Sequence, residues 1–361
     1  MYDFAVVGAG PAGSRFARRA AEAGYDVVAF ERGEVGKPLA CSGHVSLDLW
    51  EYTPEGAREQ LLQNEITGAH FHVGGPDSRA YTFYKREAVS NVIDRVQLDK
   101  LLAETARDAG AEVHVEHTVT DVREHADRVE LDVKHGGETE TVRAKMVAGC
   151  DGPTSRVRQA LDLPEPGELL HGVLAFDPEP DHGDRVDVHL TAPSFFAWRI
   201  PRGEAGVEYG LAAPPDEDRG ARELFEELTA GYDVETEHFC SGAIPIGPPD
   251  SVTGHRGFLI GDAAAQTKPF TGGGILYGMT AADHAVRTVD PDAPATLADY
   301  ERAWRADLSR EIRLGHWLRR AYELPEPVQR VGLRLFSGEI GVHMDRPTSL
   351  FSREHLRKWL S

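Results

Sequence analysis

Residues 8–13 read Gly-Ala-Gly-Pro-Ala-Gly. They sit between an apolar, β-prone run at Tyr2 to Val7 and a helix-forming stretch at Ser14 to Ala23, with a second β-prone run at Asp26 to Glu31. Strand, tight turn, helix and strand in this order define a βαβ unit and so a parallel sheet. Gly8 allows the turn, Gly10 lets a pyrophosphate approach the backbone, and Gly13 lets helix and strand pack closely. The unpaired N–H groups of the helix start face anionic phosphate, and Pro11, followed by Ala12, suits the first helical turn. Glu31, with Arg32 beside it, ends the second strand, where a carboxylate accepts hydrogen bonds from an adenosine ribose. This element predicts a dinucleotide and does not distinguish NAD from FAD.

Two later segments do. GCDGPTSRVR at 149–158 ends a strand with Asp151 and Gly152, and GFLIGDAAAQTKPFTGGGILYG at 257–278 places Gly261 and Asp262 at a strand end. A carboxylate at Asp262 suits a ribityl hydroxyl. Gly272, Gly273 and Gly274, leading into a helix at Ile275, can aim N–H groups at the pyrimidine edge of a flavin, where they stabilise the anion of the reduced ring. The cofactor expected is FAD.

The pattern predicts an α/β chain: a Rossmann-like FAD-binding domain with an inserted antiparallel β-sheet substrate domain and a helical C-terminus. The FAD-binding domain is assigned to residues 1–68, 86–164 and 243–295, the substrate domain to 69–85 and 165–242, and the helical region to 296–361. Val89 to Gly110 reads as one long helix. Asp121 to Glu124, Arg128 to Val133 and Glu140 to Ala144 read as a meander turning at Gly136-Gly137, followed by a separate strand at 146–152.

With 39 Lys and Arg against 59 Asp and Glu, the chain has a formal net charge of -20, which excludes a nucleic-acid partner in the ordinary sense. Only seven of the basic residues are Lys, and an acidic, Lys-poor surface suits a salt-adapted, halophilic source. Cys41, Cys150 and Cys240 are too few and scattered for a disulfide framework or a zinc site, so no metal is expected and a reducing cytoplasm fits. Cys150 and Cys240 read as structural. No run reaches about 18 uncharged apolar residues, which leaves peripheral contact as the only expected relation to a membrane.

Taken together, GAGPAG, KPLACSG at 37–43, Arg95 with Leu98-Asp99, GCDG, FFAWRIPRG at 195–203 and GDAAAQ at 261–266 resemble the FAD-dependent geranylgeranyl reductase family, within the flavoprotein group that includes the aromatic hydroxylases. The resemblance covers most of residues 1–300. It implies that Cys41 faces the flavin and is linked to catalysis, although Ser42 stands where a glycine commonly follows the cysteine; Lys37 nearby could support a thiolate. It implies that Arg95 contacts FAD while Asp99 orients its helix. It also implies that Trp198 and Pro201, with Phe196, wall a substrate tunnel, Ile200 replacing the usual aromatic residue. His44, Tyr277 and Lys268 could reach the site from flanking loops.

The activity this implies is reduction of C=C bonds in a geranylgeranyl chain, carried as a prenyl lipid or a prenyl diphosphate, with hydride from reduced FAD. Ferredoxin, a deazaflavin and NADPH stay open as the electron donor. Two other readings of the same residues are a flavin-dependent monooxygenase of an apolar substrate and a non-catalytic flavin electron carrier.

Overall fold

The computed structural model describes residues 1–38, 41–215 and 219–339. Its first sheet is built on five parallel strands in the order Glu112–His114, Val27–Phe30, Tyr2–Val7, Glu138–Gly149 and Gly257–Leu259. The strand Glu138–Gly149 does two jobs. Its first half pairs antiparallel with Val129–His135, which pairs in turn with Thr118–Glu124; its last residues lie parallel between Tyr2–Val7 and Gly257–Leu259. The meander and the strand expected at 146–152 are therefore continuous, with exposed residues giving way to buried ones along the strand. Gly136 and Gly137, both at positive φ, form the two-residue turn into it.

Helices Pro11–Glu22, Arg95–Asp108 and Ile275–Thr288 pack on one another beside this sheet. Phe4, Phe16, Phe258 and Tyr300 hold the first helix down through edge-to-face pairs, with Phe4 and Phe16 centroids 5.2 Å apart and Phe16 and Phe258 5.5 Å apart. Such pairs each add about 0.5–1.5 kcal/mol beyond their buried area, which fixes the start of the helix against the strand ends.

The helix expected over Val89 to Gly110 begins later. Ser90–Ile93 is a fully buried strand, and Asp94 then caps the helix by accepting from the Gln97 N–H at 3.0 Å. This strand centres a three-stranded sheet with His44–Ser46 and Leu62–Ile66, which the sequence reading did not anticipate.

A seven-stranded sheet runs in the order Glu237–Ile246, Glu168–Asp177, Val207–Ala213, Ala197–Pro201, Arg185–His189, Gly68–His72 and Ala80–Tyr84. All its pairings are antiparallel except that of Arg185–His189 with Gly68–His72. One face is covered by a helix at Ala221–Tyr232, whose Phe225 and Leu228 pack on Val173, Tyr209 and Leu211. That helix was missed in a segment read as strands and loops, although its buried residues at 221, 225, 228 and 229 have helical spacing. The other face turns toward the nucleotide-binding lobe. Beyond it lie helices Leu297–Arg319 and Glu326–Phe336, and residues 340–361 of the helical region expected there lie outside the described residues.

Candidate active site

The three glycines of the first turn meet three different surroundings. Gly8 has φ +96°, and a Cβ there would fall 2.4 Å from the Cys150 carbonyl oxygen. A Cβ at Gly13 would fall 2.0 Å from the Gly8 carbonyl oxygen, whereas one at Gly10 would meet no atom within 4 Å. The first and third positions are closed by the fold, and the second faces open space. Helix Pro11–Glu22 starts there with no side-chain cap and no acid in its first turn, leaving its N–H groups to an anion. Glu31 holds the turn in place by accepting from the Ala9 N–H at 2.9 Å and the Gly33 N–H at 3.3 Å, and its oxygens keep further lone pairs for a ribose.

The GDAAAQ and triple-glycine segments come together opposite. Gly261, at φ +70°, packs against Ala12, whose small side chain allows the approach. A Cβ at Gly274 would lie 2.3 Å from Asp262 Oδ1, and one at Gly273 would lie 2.8 Å from Lys268 Cε. Helix Ile275–Thr288 starts at Gly274, again with no side-chain cap and no acid in its first turn. Burial pushes Asp262 up to about 6, against the pull of Arg95.

Two residues that fix these loops, Gln266 and Arg158, were not singled out from the sequence. Gln266 accepts from the Gly261 N–H at 2.8 Å and donates to the Tyr300 hydroxyl at 3.1 Å. Arg158, buried, donates to the carbonyls of Ala263 at 3.1 Å and Pro153 at 2.9 Å, tying the two glycine-acid segments together. Asp151 is occupied locally, accepting from Ser155 Oγ at 2.5 Å and from the N–H groups of Arg156 and Val157 at the start of the short helix Arg156–Ala160. Its carboxylate shapes the loop, and neither Asp151 nor Gly152 lines the central cavity.

That cavity has a volume of about 620 Å³ and runs from Gly10, Pro11 and Ala12 to the seven-stranded sheet. Cys41, Arg95, Asp262, Gly272, Gly273, Gly274 and Ile275 line its middle; Ile66, Phe71, Val186, Val188, Phe196 and Trp198 make its apolar far end. His44, Lys268 and Cys240 also reach it, so Cys240 is a wall residue and not merely packing. Pro201 does not: it ends its strand outside the cavity, with its carbonyl accepting from Asn64 at 3.0 Å. Gly8, Gly13, Glu31 and Arg32 likewise stand behind the lining.

Arg95 and Asp99 form an ion pair one helical turn apart with both side chains almost wholly covered. Burial disfavours the guanidinium charge, but Asp99 and the Cys41 thiol outweigh it and keep the Arg95 pKa above its ordinary value. Arg95 Nε is buried without a hydrogen-bond partner among the described residues, as is Thr271 Oγ1 on the triple-glycine loop. Lys37, expected near Cys41 as the supporting cation, instead pairs with Glu34 at 3.0 Å on the surface, and Arg95 takes its place. Leu39 and Ala40 of the KPLACSG stretch lie outside the described residues.

Two uncapped helix starts, an open surface at Gly10, an unpartnered buried guanidinium edge and a carboxylate at Asp262 together fit a flavin dinucleotide along one side of the cavity. Among the described residues no group of three His, Cys, Asp or Glu side chains is placed to hold a metal, and no helix is long and apolar enough to cross a membrane.

Comparison with known proteins agrees with this geometry. Residues 1–194 match the family model described as an FAD binding domain. The chain is 30% identical over 349 residues to digeranylgeranylglycerophospholipid reductase 1 of Methanococcoides burtonii, covering 86% of this chain and 81% of that one. It is 31% identical over 350 residues to digeranylgeranylglycerophospholipid reductase 1 of Methanopyrus kandleri, covering 85% and 86%. In structure it is similar to a geranylgeranyl bacteriochlorophyll reductase-like protein of Thermoplasma acidophilum, with TM-score 0.85, 23% identity and 99% and 95% of the two chains covered. The p-nitrophenol 4-monooxygenase of Pseudomonas putida shares the fold at TM-score 0.73 and 16% identity, over 100% and 96% of the chains. The chain is thus an FAD-dependent oxidoreductase that belongs to the digeranylgeranylglycerophospholipid reductase family.

Proposed function

We propose that this protein reduces the C=C bonds of geranylgeranyl chains carried on an archaeal glycerophospholipid. The observation that carries the reading is the course of the cavity: it leaves the nucleotide-binding turn, passes Cys41 and Arg95, and ends between the aromatic and aliphatic side chains of the seven-stranded sheet. Gly10, the start of helix Pro11–Glu22, Arg95, Asp262 and the Gly272–Gly274 loop hold FAD. When bound and reduced, FAD supplies hydride to one carbon of the double bond.

An isolated trisubstituted alkene accepts hydride poorly unless a proton reaches its other carbon. Cys41, half-buried at the junction of the polar and apolar ends, gives its Sγ proton to that carbon, and the thiolate left behind faces the Arg95 guanidinium until solvent reprotonates it. Phe196, Trp198 and the aliphatic wall exclude water and align the chain. Cys41→Ser tests this role in a single turnover of reduced protein with geranylgeranyl lipid. Slowed flavin reoxidation with unchanged FAD content supports it, and full-rate turnover removes Cys41 from the mechanism.

Electrons reach the flavin from ferredoxin, a deazaflavin or NADPH, which anaerobic reduction with each donor separates. The protein works in the cytoplasm and meets its lipid at a bilayer surface. Val328, Val331 and Leu335 stand exposed on helix Glu326–Phe336, whose Leu333 reaches the cavity. Flotation with archaeal lipid vesicles in molar KCl, lost on replacing these three residues by Ser, checks the contact.

A further inference from the structure

Arg202 and Glu208 form an ion pair at 2.8 Å with side chains 6% and 0% exposed, at the hairpin that joins strands Ala197–Pro201 and Val207–Ala213. The guanidinium serves three more segments. It donates to the Ser42 carbonyl at 2.6 Å, to Gln63 Oε1 at 2.6 Å and to the Ile93 carbonyl at 3.1 Å, just before the helix that carries Arg95. The other Glu208 oxygen accepts from Trp198 Nε1 at 2.8 Å. One buried charge pair therefore reaches both the residue after Cys41 and the indole on the apolar wall of the cavity.

Stability alone does not explain the pair. Well-packed apolar residues commonly do as well in such a place, whereas directional bonds from a planar, five-donor fork fix several loops at once. We infer that Arg202 and Glu208 are positioning residues for the reduction of a prenyl chain: Arg202 fixes the backbone beside the Cys41 thiol, and Glu208 fixes the Trp198 indole. The separation of thiol and tunnel wall is thereby set, and with it how far a chain threads and how many of its double bonds are reduced. This inference rests on the roles proposed above for Cys41 and the cavity.

The test uses the full-length, FAD-loaded protein. In Arg202→Lys one ammonium cannot hold Ser42, Gln63 and Ile93 together. Alkylation of Cys41 by N-ethylmaleimide, read by peptide mass, should become severalfold faster, and kcat should fall by about ten- to a hundredfold while flavin content stays the same. Glu208→Gln and Trp198→Phe should act non-additively on the ratio of partly to fully saturated product, because the carboxylate works through the indole.

Unchanged Cys41 alkylation in a flavin-retaining Arg202→Lys protein overturns the inference, as do additive effects of the other pair. If Arg202→Lys loses flavin, the Glu208 and Trp198 cycle decides alone. A native protein that never oxidises its flavin with prenyl lipid defeats the proposed function instead, and the alkylation readout still decides whether Arg202 holds the Cys41 turn.

Discussion

Trp198 lies against Gly210, its cross-strand partner: a Cβ at position 210 would come within 2.4 Å of indole Cζ2. The glycine is what lets a cavity-wall indole sit this close to the sheet. Gly210→Ala drives the ring toward the cavity, at a cost of about 1–3 kcal/mol for overpacking. The expected result is a lower Tm and a raised KM for prenyl lipid with FAD still bound. Unaltered kinetics would show that the indole does not define the tunnel.

Gly10 and Gly13 make opposite predictions, although they share one motif. Gly10 has φ -70° and ψ -173°, which alanine adopts freely, and a Cβ there meets nothing. Gly10→Ala should leave the apo-protein's Tm unchanged and weaken FAD binding. Gly13→Ala places its Cβ 2.0 Å from the Gly8 carbonyl oxygen, so it should destabilise the chain even without FAD. Calorimetry of both apo-proteins alongside FAD titration checks the pair.

Asp262 gives a pH dependence with a definite sign. Burial raises its pKa from 3.8 to about 6, so between these values the folded chain holds a proton that the unfolded chain has released. Its contribution to stability is present below about pH 4 and is lost as pH rises to about 6. The stability of Asp262→Asn relative to the native apo-protein should therefore increase across that window and level off above it. Denaturation curves that run parallel from pH 4 to 7 would contradict the assignment.

Arg158→Met leaves the Ala263 and Pro153 carbonyls without their donor, each at a cost of about 1–3 kcal/mol when buried. Its ion pair with Glu165, which is 62% exposed, adds little. Loss of FAD affinity should accompany the fall in Tm, because both glycine-acid loops depend on this one side chain.

Local sequence carried the nucleotide-binding turn position by position: the φ of Gly8, the openness at Gly10 and the closeness at Gly13 all follow from a strand meeting a helix. It also carried the βαβ unit at the start of the first sheet. What it could not carry was the wiring between segments. Arg158 and Ala263 are 105 residues apart, Arg202 and Ser42 are 160 apart, and nothing in either neighbourhood names its partner. Arg202 and Glu208 sit inside or beside the FFAWRIPRG stretch, yet an Arg and a Glu at strand positions read as a solvated edge until the fold buries them. Ser90–Ile93 was absorbed into the helix that follows, because four residues, two of them polar, are too few to show a period of their own. Lys37, read as a cation able to support a Cys41 thiolate, pairs with Glu34 instead, because proximity along the chain stood in for proximity in space.

The central claim is tested most directly under anaerobic conditions in molar KCl, with the flavin reduced by dithionite and geranylgeranyl glycerophospholipid then added. Reoxidation of the flavin, with the lipid gaining two hydrogens for every double bond lost, is the predicted result. A flavin that stays reduced beside the lipid and reoxidises only when air is admitted would contradict it.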